Sequence, residues 1–90
     1  MTSEQLDEVL RALAHPVRRR FVKACLSVER AAGDLAGLSN LSIASASEHL
    51  KVLRKSGLLL LDRRGRFWMY RTDLIRLADV ADTVGKLGEG

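Results

Sequence analysis

Hydrophobic residues near the start of the chain recur at helical spacing. Leu6, Val9, Leu10 and Leu13 stand at i, i+3, i+4 and i+7, which predicts an amphipathic helix over residues 3–14. Its early acids suit the positive end of the helix dipole. Pro16, at home in a first helical position, opens a second helix that runs to about Leu26. There Val17, Phe21, Ala24 and Cys25 form an inward stripe, while Arg18, Arg19 and Lys23 point elsewhere. Residues 31–38 read as a short third helix carrying Leu35 inward, and Ser39-Asn40 is a turn into a fourth. Ser42 is a good N-cap for that helix, Ala46, Leu50 and Leu53 share its inner face, and Gly57 can take the left-handed conformation that ends it. Residues 58–61 and 67–71 are β-competent runs joined through Asp62, Arg63, Arg64, Gly65 and Arg66, which predicts a hairpin. A last helix over about 73–86 has Leu74, Leu77, Ala78, Ala81 and Val84 on one face, with Ile75 and Val80 off it. The expectation is a mainly α fold of about five helices with a two-stranded β-hairpin.

Ninety residues allow one domain, spanning 1–90, and so short a chain leaves much of its surface exposed when folded alone. A terminal helix that only covered its own domain would be polar on its far side, and the last helix is not. The first and last helices are therefore expected to form a homodimer interface through Leu6, Val9, Leu10, Leu13, Leu74, Leu77, Ala81 and Val84. The competing arrangement has both helices merely capping the monomer core.

The net charge is +4, but its distribution matters more than its total. The first ten residues and the last nineteen are acidic on balance, and the middle is basic. On the outer side of the fourth helix Ala44, Ser45, Ser47, Glu48 and Lys51 include short side chains, which let a helix backbone approach base edges in a major groove. Arg63, Arg64 and Arg66 crowd the hairpin tip. A solvated polar turn is the bland explanation for such a run, but like charge concentrated beside a groove-sized helix gains attraction and counterion release when it lies against phosphates. That combination points to duplex DNA.

Enzyme chemistry finds no support: there is no nucleophile-base pair, no Gly-rich phosphate loop and no pair of carboxylates in an apolar setting. The single cysteine excludes an internal disulfide, and its place on the stripe of the second helix suits a buried packing residue rather than a redox switch. Phe67, Trp68, Met69 and Tyr70 read as hairpin packing. Neither a membrane-length apolar run nor a cleavable leader is evident, so a soluble, cytoplasmic protein is expected.

Four segments, in order and without gaps, carry a family resemblance: ALAHPVRRRFV (residues 12–22), GDLA (33–36), SEHLKVLRKSGLL (47–59) and RRGRFWMYR (63–71). Together they resemble the winged helix-turn-helix domain of the ArsR/SmtB family of transcriptional regulators. The resemblance implies a homodimeric repressor whose recognition helices enter successive major grooves of a near-palindromic operator while each wing touches flanking DNA. It places DNA-reading positions at Ser42, Ile43, Ala44, Ser45, Ser47, Glu48 and His49, and wing contacts at Arg63, Arg64 and Arg66.

Glu48 departs from the family, which often has Arg or Gln there; an acid repels phosphate unless it accepts from a cytosine amino group, and the equal alternative is a solvent-facing Glu that tunes nothing. His49 could donate to DNA or buttress the helix beside Leu50 and Leu53, and its polar flanks favour DNA. Many relatives bind metal through a Cys-x-Cys pair after an acid-Leu pair, but here Asp34-Leu35 is followed by Ala36, Gly37 and Leu38. Residues 72–90 lack histidine, and Asp79 with Asp82 makes a poor transition-metal site. No metal or cofactor is expected, and no residue pattern names the effector that usually releases such repressors. The alternative function is a winged-helix protein-interaction module that does not bind an operator.

Overall fold

Helices start where the sequence supplies an acceptor for their unpaired N–H groups. In the computed structural model, which describes residues 1–89, α1 (Ser3–Leu13) opens on Thr2. The Thr2 hydroxyl accepts from the Gln5 amide at 3.1 Å while Gln5 Oε1 accepts from the Thr2 amide at 2.8 Å, a reciprocal capping box. For α2 (Pro16–Ala24) the cap is His15, whose Nδ1 accepts from Val17 N at 3.2 Å, ahead of Pro16 in the first turn. Ser42 caps α4 (Ile43–Lys55), and Asp73 caps α5 (Leu74–Lys86) by accepting from the amides of Ile75 and Arg76. A 3₁₀ turn at Leu87–Glu89 follows.

The two ends that frame the helix-turn-helix share one design. α3 (Ala32–Leu38) stops with Asn40 at φ +53°, the Leu41 amide donating to Ala36 O and the Asn40 amide to Gly37 O. α4 stops with Gly57 at φ +83°, Leu58 donating to Leu53 O and Gly57 to Arg54 O. Both are left-handed caps that return orphan carbonyls to the backbone. At Gly57 the cap is also crowded, because a Cβ there would stand 2.8 Å from Arg76 Nε.

β2 (Leu59–Arg64) and β3 (Phe67–Thr72) form the expected hairpin, with Leu61 opposite Tyr70 and Arg63 opposite Trp68. Two features differ from expectation. The strands extend to the Arg64–Phe67 pair, so only Gly65 and Arg66 turn the chain instead of a five-residue loop. Gly65 has φ +60° and Arg66 does not have positive φ, the pattern of a tight type II′ turn matched to strand twist. A third strand, β1 (Arg30–Ala31), pairs antiparallel with β3 and gives the order β1-β3-β2. Two residues are too few to show the alternation by which strands are recognised.

The core gathers Val9 and Ala12 of α1, Phe21 and Val22 of α2, and Leu35 and Ala36 of α3. Ala46, Leu50 and Leu53 of α4 join them, with Leu58, Leu59 and Tyr70 from the hairpin and Val80 of α5. Each large apolar side chain in that set contributes about 1.5–3 kcal/mol by leaving water. Cys25 is buried among them, and burial pushes its thiol up to about 11 while nearby Arg30 opposes the shift, so the thiolate is scarce at neutral pH. Thr72 fastens the wing to α2: its hydroxyl donates to Val22 O at 2.7 Å and its amide to Cys25 O at 2.9 Å.

α5 docks differently from the sequence pattern. Its contact with the core runs through Val80, which the pattern put off the main face, and through half-buried Leu77. Leu74, Ala78, Ala81 and Val84 face solvent, as do Leu87 and Ile75, the last 84% exposed. On α1, Val9 is fully buried within the subunit, which removes it from any intersubunit surface; Leu6 and Leu13 are half-buried and Leu10 is exposed. Among the described residues no helix is long and apolar enough to cross a membrane.

Candidate nucleic-acid interface

The inner positions Ala46, Leu50 and Leu53 hold α4 against the core and leave its opposite side open to solvent. Ser42, Ile43, Ala44, Ser45, Ser47, Glu48 and Lys51 are all exposed on that outer side. Ser42 has local commitments: its Oγ accepts from Ser45 N at 3.1 Å and donates to Ser45 Oγ at 3.0 Å. Ala44 and Ser47 carry little bulk, and Ile43 presents an apolar tip that is 62% exposed.

His49 does not join this face. Its Nδ1 accepts from Arg18 Nε of α2 at 3.2 Å, and its ring lies 4.4 Å from that of His15, with Phe21 presenting an edge. The reading of His49 as a DNA-proximal position is therefore corrected to a helix-to-helix tie. The physical reason is rotational: His49 precedes Leu50 and shares a flank with the buried stripe. Burial, then the charge environments of His15 and Arg18, lower its pKa and favour the neutral ring. Accepting at Nδ1 puts its proton on Nε2.

The wing separates its arginines by strand alternation. Arg63 lies on the same face as Trp68, its guanidinium carbon 4.3 Å from the indole centroid. Arg64 points to the opposite face, where its Nε donates to Asp62 Oδ2 at 2.9 Å and its Nη2 to Glu29 Oε1 at 2.8 Å. Those partners, Asp62 foremost, raise its pKa further. The three arginines at the tip thus differ: Arg64 is ion-paired within its own subunit, while among the described residues Arg63 and Arg66 have no ion-pair partner.

Between α4 and the wing runs a groove of about 650 Å³. Ser47, Glu48, Lys51 and Arg54 form one wall, Arg63, Arg66, Phe67 and Trp68 the other, with Tyr70 and the segment from Ala31 to Gly33 beneath. Arg54 was not among the positions singled out from sequence. The available signal was its place three residues beyond Lys51 on the outer face. Among the described residues no three His, Cys, Asp or Glu side chains come together as a metal site.

A helix-turn-helix domain family model matches residues 13–62. The transcriptional repressor SdpR of Bacillus subtilis (strain 168) is 30% identical over 74 residues, covering 82% of this chain and 82% of that protein. The HTH-type transcriptional repressor SmtB of Mycobacterium tuberculosis (strain ATCC 25618 / H37Rv) is 35% identical over 83 residues, 91% of this chain but only 62% of SmtB. Among solved structures, the homodimeric winged helix-turn-helix DNA-binding domain Mb0332 from Mycobacterium bovis superposes with a TM-score of 0.78 at 26% identity, covering 96% of this chain and 80% of that one.

Proposed function

Because the chain belongs to the ArsR/SmtB family of winged helix-turn-helix transcriptional regulators, we propose that it is a homodimeric repressor of a near-palindromic operator. One observation carries the reading: the short and polar side chains of α4 from Ser42 to Lys51 are held open to solvent beside the wing cations Arg63 and Arg66, which have no ion-pair partner among the described residues. The α4 residues Ile43, Ala44, Ser45, Ser47 and Glu48 read base edges, Lys51 meets phosphate, and the wing lies on flanking DNA. Arg64 would join only by exchanging its carboxylate partners for phosphates. Glu48 accepts a hydrogen bond from a cytosine amino group, the role that suits an acid in a major groove.

Two copies pair through Leu10 of α1 and Leu74, Ala81 and Val84 of α5, with Leu6, Leu13 and Leu77 contributing their exposed portions. The homodimeric domain from Mycobacterium bovis supports the pairing, and the repressors SdpR and SmtB support the direction of regulation. Each copy is one domain spanning 1–90, with α1 and α5 as its dimerisation elements.

The test is protection mapping on the intergenic DNA beside the protein's own gene, with affinity measured between 50 and 200 mM salt. Two protected half-sites one or two helical turns apart, with binding that weakens steeply in salt, are expected. Operator and random duplexes bound equally, or neither bound, would favour an interaction module instead.

A further inference from the structure

The groove between α4 and the wing is built from opposed cations. Lys51 and Arg54 stand on the helix wall, Arg63 and Arg66 on the wing wall, and Glu48 is the one carboxylate lining it. Among the described residues none of these four cations has an ion-pair partner, whereas the neighbouring Arg64 has two. Like charge gathered on both sides of a narrow channel is self-repelling until an anion enters. Glu48 lies nearer the N-terminus of α4, so the stretch from Lys51 to Arg54 is wholly cationic on the helix side.

Trp68 gives the channel its geometry. The indole is 45% exposed and Arg63 lies over its ring at 4.3 Å. Stacking fixes a long, flexible side chain without cancelling its charge, and it leaves the in-plane N–H donors of the guanidinium free. The contrast with Arg64 is direct: two carboxylates hold that residue in place but occupy its donors. An extended run of phosphates matches donors that face one another along a channel, since guanidinium forks and phosphate oxygens pair through parallel hydrogen bonds.

We propose that this groove is the channel for one phosphodiester strand of the bound duplex, in which Arg54 contacts phosphate and Trp68 is the positioning residue that holds Arg63 over the channel. The assignment rests on the DNA-binding reading above and adds the path of the backbone and two residues to it. The strand leaves the major-groove segment faced by α4, passes between the two walls, and reaches the wing tip at Gly65 and Arg66.

Trp68 is the only tryptophan in the chain, so its fluorescence reports on the channel. Acrylamide quenching of the wild-type protein should fall at least twofold when a duplex carrying the protected half-sites is added. By anisotropy with labelled duplex, Arg54→Gln should weaken operator and random-sequence DNA by the same factor, about tenfold, and flatten the salt slope by about 1 to 2. Trp68→Ala should reproduce the loss of Arg63→Gln, the double variant should be no weaker than Arg63→Gln alone, and Trp68→Phe should restore most of the affinity. Matched melting temperatures for Trp68→Phe and wild type separate positioning from folding. Duplex binding with unchanged quenching, or full affinity and slope in Arg54→Gln, overturns the channel while leaving the DNA-binding reading standing. Failure of the wild type to bind either duplex overturns both.

Discussion

The outer face of α4 and the outer face of α5 are equally open to solvent, yet they are made of opposite materials. On α4 most exposed residues are short, polar or charged, with Ile43 and Val52 the large apolar exceptions, and the cations among them lie comfortably in water until a polyanion arrives. On α5 and the turn that follows it the exposed residues include Leu74, Ile75, Val84 and Leu87, whose hydration is unfavourable at about 25 cal/mol per Å² of apolar surface. A partner's chemistry can be read from the surface left waiting for it: cations in a groove await phosphate, and a large apolar stripe on a small domain awaits an apolar surface. A second copy of the same stripe satisfies that demand with twofold symmetry.

The largest expected effect comes from breaking the apolar side of this contrast. Leu74→Asp and Val84→Asp each bury a carboxylate in the proposed interface, where an unpaired charge is strongly unfavourable. Light scattering should show the shift from dimer to monomer. Operator affinity should fall by about 10² to 10⁴, because the two half-sites are no longer engaged by one linked molecule. Dimers that persist in both variants would mean that α5 serves something other than self-association.

Gly57 lies at the end of α4 and against Arg76 of α5. Gly57→Ala should destabilise the fold by about 1–3 kcal/mol, read as a lower urea midpoint with unchanged slope. The Arg76 guanidinium can swing away from a new methyl group, so the left-handed φ carries most of that cost. Removing the Arg76 side chain as well should therefore recover little of the loss.

These effects differ in how visible they were beforehand. Gly57, Ser42, Pro16 and the Leu50 and Leu53 stripe act through neighbours within a turn or two, and local spacing reveals them. Arg64 was only half readable in this way: Asp62 lies two residues away on the same strand face, but Glu29 is thirty-five residues distant and meets Arg64 only when the wing folds beside the loop before β1. Val80 was misassigned because a helix apolar on several sides does not announce which side faces its own core. β1 is set by pairing with Tyr70 and Met69 rather than by any preference of Arg30 and Ala31. The candidate site was legible along α4, where exposure follows from periodicity. It was only partly legible on the wing, where the pairing of side chains decides which charges remain free.

That division of the wing predicts unequal arginines. Arg63→Gln should lower affinity for any duplex about tenfold and flatten the salt slope by about 1 to 2, as loss of a phosphate contact in each subunit requires. Arg64→Gln should change affinity less than about threefold, because an exposed ion-paired side chain already has its donors occupied. Glu29→Gln should move in the opposite direction, removing one of Arg64's two carboxylate partners and modestly tightening binding with a steeper slope. Equal losses for Arg63 and Arg64 in the anisotropy titration would erase the distinction.

The smallest effect concerns His49, which belongs to the packed side of the recognition helix rather than its reading side. Its folded pKa lies below the ordinary value of 6.5, from burial first and then from His15 and Arg18, so the unfolded chain binds its proton more readily. The stability it contributes is complete above about pH 6.5 and is lost as pH falls through the lower folded pKa, since protonating Nδ1 removes the acceptor for Arg18 and sets two cations together. Melting temperatures at pH 7.5 and 5.5 should fall further for wild type than for His49→Gln, whose amide oxygen can accept from Arg18 at either pH. A histidine lying against DNA phosphate would behave in the reverse sense, its pKa raised on binding and operator affinity strengthened by acid. Acid-strengthened binding that His49→Gln abolishes would therefore move His49 back to the face that α4 presents to DNA.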